Sequence, residues 1–192
     1  MAAQRHTFLF GDLVGFTALT AAEGDDRAAE VALALHQHAL DVAGSYRAQT
    51  VKTIGDAVML RCDDPGLAVE LGLRIVEDLE AIPGFPPVRI GVHTGTAVHR
   101  RGDWYGGAVN VAARLCGAAG GGEVLVSEAT CEAAGRRPQV ALAPRRLHWL
   151  KNVTEPVPAH LASRRSCTLS RARVLRALGL LVAPAVIWEV TR

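Results

Sequence analysis

Two aspartates carry the most chemical promise in this chain: Asp12 in "FLFGDLVGFT" and Asp56 in "VKTIGDAVM". An apolar run that stops on a carboxylate can simply be closing a turn, because Asp accepts hydrogen bonds from free backbone N–H groups. Held side by side, though, two carboxylates repel, and a divalent cation removes that penalty. A pair of acids is the minimum set for two Mg²⁺ or Mn²⁺ ions in a phosphoryl-transfer site. Glycines stand close to both, Gly11 and Gly15 around the first and Gly55 before the second. They allow backbone to approach a phosphate, and a helix starting after Gly15 would aim the N–H groups of Phe16 and Thr17 at it. The spacing alone fits a polymerase-like palm as well as other nucleotide enzymes.

These acids need elements that bring them together. Residues 6–12 read as a buried strand. Apolar residues at Ala28, Val31, Ala32, Leu35, Ala39, Val42 and Tyr46 have helical spacing and predict a helix over about 25–46. Residues 49–62 predict a hairpin around Gly55, and Pro65 opens a second helix reaching about Ala81. A strand over 87–98 and a helix over 108–118 follow, the helix ending at Gly120-Gly121-Gly122. That triplet lacks the Lys-Ser/Thr of a phosphate loop and is read as a helix exit. "EVLVS" predicts a strand whose Ser127 caps a brief helix, and strands over 139–149 and 156–162 complete the series. The order is a ferredoxin-like β-α-β-β-α-β core, an α+β fold, with a helix-strand extension. In that plan the first strand and the hairpin are neighbours, so Asp12 and Asp56 meet.

Composition narrows the classes. The 192 residues suit one well-buried domain. With 49% apolar and 21% charged residues, the chain is globular in type. The net charge is only +2 and no basic stripe interleaved with aromatics occurs, so no nucleic-acid partner is expected. Four cysteines, Cys62, Cys116, Cys131 and Cys167, lack C-x-x-C spacing, which argues against a zinc site or a disulfide framework. No charged leader with an apolar core precedes the first strand, and a cytoplasmic location is expected. Composition shifts at the end: residues 1–162 form the expected domain, while 163–192 are basic and then apolar ("ALGLLVAPAVIW"). The apolar run is shorter than the ~20 residues of a spanning helix and holds Pro184. It could lie on a membrane surface, pack on the domain or remain loose.

Four ordered blocks, "FLFGDLVGFT", "VKTIGDAVM", "VRIGVHTGTAV" and "WYGGAVNVAARL", resemble the catalytic domains of class III adenylyl and guanylyl cyclases over roughly residues 5–162. The resemblance implies a head-to-tail homodimer with active sites at the subunit interface. It implies that Asp12, Asp56 and the Leu13 carbonyl hold two Mg²⁺ or Mn²⁺ ions, and that Lys52 and Asp103 read the purine. Asn110 would orient the ribose and Arg114 would stabilise the transition state. Arg89 and Lys151 would hold the triphosphate, with Gly15, Phe16 and Thr17 lining the same site. Two positions depart from the pattern: Gly107 stands where relatives often carry a larger residue, and Asn152 follows Lys151 where Gly is usual.

The implied reaction converts ATP to 3′,5′-cyclic AMP and pyrophosphate. Lys52 can donate to adenine N1 and Asp103 can accept from the 6-amino group, whereas guanine reverses both, so ATP is the expected substrate. The alternatives are a guanylyl cyclase or a non-catalytic nucleotide-binding partner of another cyclase. His93, between Val92 and a bend, is read as a structural histidine.

Overall fold

A computed structural model describes residues 4–165. The first strand, β1 (Arg5–Leu13), is buried from His6 through Gly11 because it runs through the middle of the sheet. After it come α1 (Phe16–Glu23), α2 (Asp25–Ala43), β2 (Ala48–Ile54), β3 (Ala57–Cys62), α3 (Pro65–Glu80) and β4 (Val88–Thr96). The second half holds β5 (Val98–Arg100), β6 (Asp103–Tyr105), α4 (Gly107–Ala118), β7 (Val124–Ser127), α5 (Glu128–Ala134), β8 (Val140–Leu142), β9 (Arg146–His148) and β10 (Val157–Arg164).

The main sheet runs β2-β3-β1-β4-β7-β10-β8, with β9 beside β10. Its first four positions are the ferredoxin-like order, and β7, α5 and β10 supply the extension. Strand β7 is parallel to β4, so the chain must cross over between them, and α4 makes that crossing.

Period-two alternation along β1 divides the core into two layers. Leu9 and Leu13 face the layer shared with Leu35 of α2 and Ile75 of α3. Phe8 and Phe10 face the opposite layer with Met59, Val109 and Ala112, against α4. Asp12 follows Phe10 by two and therefore belongs to the α4 side. Helix α4 lies unusually close to the sheet at Gly91, where an added Cβ would fall 2.1 Å from the Cys116 nitrogen. Any side chain there would push the helix off the strand.

Local sequence explains most boundaries. Asp64 caps α3 by accepting from the Gly66 and Leu67 N–H groups at 2.8 and 3.0 Å, with Pro65 at the first helical position. Ser127 caps α5 through the Thr130 N–H, as its position predicts.

Three expectations need correction. The helix expected over 25–46 ends at Ala43 and finishes as a 3₁₀ turn, Gly44–Tyr46. The strand expected over 87–98 ends at Thr96, and the chain then folds a separate small hairpin, β5–β6. Its turn is Arg101-Gly102, both at positive φ (51° and 80°). The strand expected over 139–149 breaks into β8 and β9 around Pro144, which has no N–H for a ladder. The last strand reaches Arg164. The reading of the tail as a membrane-surface, packed or loose segment, and Cys167 with it, lie outside the described residues. Among the described residues no helix is long and apolar enough to cross a membrane.

Candidate active site

The acid pair is assembled by strand pairing. Gly11 of β1 sits opposite Val58 of β3, so outward from that pair lie Asp12 on one strand and, just past Ala57, the Gly55-Asp56 turn on the other. Gly55 adopts a φ of 60°, the left-handed conformation that a tight hairpin turn needs. Asp12 and Asp56 line one open cleft of about 440 Å³ together with Leu13, Gly15, Phe16, Thr17, Ala18 and Arg89. Burial pushes the Asp56 carboxyl above the ordinary carboxylate range, and the charge of Asp12 pushes it the same way. The N–H of Leu13 opposes this more weakly.

Helix α1 enters the cleft through Gly15 in the left-handed conformation (φ 78°), and no side chain caps it. The start of α1 therefore brings backbone donors to the cleft wall, as expected for Phe16 and Thr17. Ala18 joins them, unforeseen in the sequence because its side chain carries no chemistry.

Arg89 is in the acid cleft as well. It stands directly opposite Asp12 in the β1–β4 register and bonds Asp12 Oδ2 through Nε at 2.9 Å and through Nη2. Its Nη1 donates to the Gly117 carbonyl at 3.3 Å, tying the pair to the last turn of α4. A residue expected at a triphosphate thus neutralises one of the two acids.

The chemistry of the donor set fits a divalent cation. Hard oxygen donors suit Mg²⁺ or Mn²⁺, and burial and then the charge of Asp12, which together raise Asp56, are penalties on its charged form that a bound cation offsets. Among the described residues no group of three His, Cys, Asp or Glu side chains gathers for a metal. Two carboxylates and the Leu13 carbonyl make a sparse set, of the kind that leaves coordination positions to substrate phosphates and water.

Lys52 and Asp103, the pair expected to read the purine, are also brought together. Lys52 Nζ donates to Asp103 Oδ2 at 2.5 Å, and Asp103 Oδ1 accepts the Trp104 backbone N–H at 2.8 Å. The lysine hydrogen bond holds the Asp103 carboxyl below the usual range. Strand β2 slips register between Thr50 and Lys52, and such a bulge re-aims the side chains that follow it.

Asn110 and Arg114 lie elsewhere. They are exposed one turn apart on α4, and among the described residues neither side chain has a hydrogen-bond or ion-pair partner. Arg114 lines a second open cleft, about 270 Å³, with Ala113, Gly117, Ala118, Trp149, Leu150 and Lys151. A single chain therefore does not bring Asn110, Arg114 and Lys151 into the cleft of the two aspartates. Beyond Lys151, Asn152 has a φ of 61°. Left-handed backbone is tolerated by Asn and free for Gly, so this departure keeps the turn.

His93 is half-buried, with Nδ1 at 2.8 Å from Ser127 Oγ, and burial pushes its pKa down to about 4. It joins a polar cluster of Thr94, Thr130 and Ser127 that ties β4 to α5, which is a structural role.

The family described as adenylate and guanylate cyclase catalytic domain matches residues 2–152. Over 155 residues the chain is 39% identical to a pH-sensitive adenylate cyclase of Mycobacterium tuberculosis, covering 78% of this chain and 39% of that protein. An adenylate cyclase of Streptomyces griseus is 37% identical over 129 residues, covering 67% of this chain and 32% of that one. The chain thus spans well under half the length of these relatives. Among solved structures, an adenylate cyclase of Trypanosoma brucei in its monomeric state superposes with a TM-score of 0.74 at 24% identity, covering 83% of this chain and 88% of that one.

Proposed function

Because the chain belongs to the family of adenylate and guanylate cyclase catalytic domains, we propose that it is an adenylyl cyclase whose sites are completed by a second copy of the chain. The observation that carries this reading is the cleft holding Asp12 and Asp56, where one carboxyl is pushed up by burial and by the other's charge. Asp12, Asp56 and the Leu13 carbonyl would hold two Mg²⁺ or Mn²⁺ ions, which when bound lower the pKa of the ribose 3′-hydroxyl and offset charge on the triphosphate.

The reaction forms a bond between the ribose 3′-oxygen and the α-phosphorus and breaks the bond from that phosphorus to pyrophosphate, with loss of the 3′-hydroxyl proton. Asn110 fixes the ribose, which reduces the entropic cost of reaching attack geometry. Arg114 pairs with the equatorial oxygens as charge grows on them. Lys151 and Arg89 hold the triphosphate, aided by N–H groups at the start of α1. Arg89 does so by exchanging Asp12 for phosphate oxygens. Lys52 donates to adenine N1, and Asp103 accepts from the 6-amino group while remaining braced by Lys52. Guanine would set donor against donor and acceptor against acceptor, a mismatch that a buried site rejects strongly.

Two copies are required on this reading because Asn110, Arg114 and Lys151 lie outside the aspartate cleft of their own chain. The relatives named adenylate cyclase support the choice of ATP. Incubating the purified protein with ATP or GTP and Mn²⁺, then resolving the products, tests it. Cyclic AMP with equimolar pyrophosphate is expected. Predominant cyclic GMP would reassign the substrate, and no cyclic nucleotide from either would end the enzymatic reading.

A further inference from the structure

The β5–β6 hairpin that carries Asp103 is a poor structure by itself. It has three residues per strand and pairs with no strand of the main sheet. Isolated two-stranded ribbons of that size are not stable in water. Of its six strand residues only Asp103 and Trp104 are even half-buried, while Val98 and Tyr105 are 50% and 56% exposed. Something must hold it against the sheet, and the Trp104 side chain is placed to do so.

The indole packs on residues far away in sequence. Its ring centroid is 4.4 Å from that of His6 and 5.6 Å from that of Phe8, both in edge-to-face arrangements on β1. The Arg61 guanidinium of β3 lies 5.0 Å over the ring. On the hairpin itself, His99 stands opposite Trp104 in register at 5.0 Å. Arg61 is in turn bonded to His6 Nδ1 through Nε at 3.3 Å, so the platform under the ring is cross-linked. Aromatic and cation–π contacts of this kind add attraction beyond area burial. One residue upstream, Asp103 takes the Trp104 N–H on one oxygen and Lys52 on the other.

We propose that Trp104 is a positioning residue for base selection: by clamping the β5–β6 hairpin onto His6, Phe8 and Arg61, it holds Asp103 against Lys52. This rests on the reading that Lys52 and Asp103 recognise the purine. Without the clamp the hairpin swings, the carboxylate no longer has a fixed place, and discrimination between adenine and guanine weakens even though both reading residues remain.

Two readouts test this, one of them independent of catalysis. The first follows the Asp103 carboxyl by ¹³C NMR titration in the wild type, Trp104→Phe and Trp104→Ala, with circular dichroism as the check of folding. The wild-type midpoint should lie below the ordinary Asp range, stay there in Trp104→Phe, and rise toward the ordinary range in Trp104→Ala. An unchanged midpoint in folded Trp104→Ala overturns the clamp. Should that variant fail to fold, Trp104→Leu, which keeps apolar bulk without a ring, is held to the same expectation.

The second readout is the ATP-to-GTP ratio of kcat/KM. It should fall about tenfold in Trp104→Ala, mostly through a higher KM for ATP, and stay within about threefold of wild type in Trp104→Phe. In an Asp103→Ala background, Trp104→Ala should leave the ratio where Asp103→Ala put it, since the effect runs through that carboxylate. Equal losses in both backgrounds overturn the proposal. If Asp103→Ala itself leaves the ratio unchanged, the base-reading assignment fails and the selective role of Trp104 fails with it, and a shifted Asp103 titration would then mark a clamp with no bearing on the base.

Discussion

The last turn of α4 separates two clefts that are built in opposite ways. On one side Asp12, Asp56 and Arg89 are drawn together by the pairing of β1 with β3 and β4, and Asp12 already has a partner in Arg89. On the other side Arg114 and Lys151 line a cleft with no acidic residue among its walls, and among the described residues neither is paired. Gly117 touches both, lining the second cleft while its carbonyl receives Arg89. The first cleft is a frustrated set of charges that needs more cation, and the second is a set of cations that needs an anion. On the proposed reading, a triphosphate carrying its metal ions would satisfy both needs at once, with the second cleft supplied by another chain. The two clefts would then be halves of one site, each finished by the other's ligand.

The sharpest way to break this contrast is to remove the acids. Asp12→Ala and Asp56→Ala should each lower turnover by about 10²-fold or more, the scale of losing an electrostatic contact made to the transition state. Both proteins should keep the far-UV circular dichroism of the wild type, because neither side chain belongs to the core clusters. Near wild-type cyclic AMP production by either variant with Mg²⁺ or Mn²⁺ would remove the acid cleft from the chemistry.

A second test asks whether the halves belong to different chains. Asp56→Ala and Arg114→Ala should each be nearly inactive alone. Mixed at equal concentration and allowed to exchange, they should recover roughly a quarter of wild-type activity, since half the dimers are then mixed and each mixed dimer holds one intact site of two. Absence of recovery, with subunit exchange demonstrated by tagged copies, would place both clefts' residues in a single-chain site.

The two clefts also differ in how much of them could be read from residue order. Asp12 and Asp56 were legible because each ends a local element: a strand stops, a hairpin turns, and the ferredoxin-like order sets the two next to each other. The Asp64-Pro65 start of α3 and the Ser127 cap of α5 were legible for the same reason, since capping is decided within a few residues. The pairing of Arg89 with Asp12 was not, because it depends on a β1–β4 register across 77 positions. The β5–β6 hairpin escaped notice because its strands are short and largely exposed, which leaves no alternation to read. Its anchor, Trp104 on His6 and Arg61, joins three strands and has no local signature. Residue spacing reports what an element needs, and says little about which distant side chain will share a charge with it.

The smallest expected effect bears on the claim that the acid cleft is frustrated without a cation. The Asp56 carboxyl is raised above its ordinary value of 3.8, chiefly by burial and then by Asp12. For an acid raised on folding, the folded state binds the proton more tightly than the unfolded chain does. Its stabilising contribution is therefore fully present below pH 3.8 and is lost as pH rises through the raised value. At neutral pH in EDTA, Asp56 is ionised beside Asp12 and weakens the fold. Asp56→Asn keeps the size and a carbonyl acceptor for the Leu13 N–H but carries no charge. In EDTA at pH 7 it should melt about 2–5 °C above the wild type, and the gap should close as the pH is taken below 3.8. Added Mn²⁺ should reverse the order, because an ion that binds only the folded wild type stabilises it by mass action while the variant gains little. Equal melting temperatures in EDTA, or an equal gain of both proteins from Mn²⁺, would mean that Arg89 alone already balances the cleft.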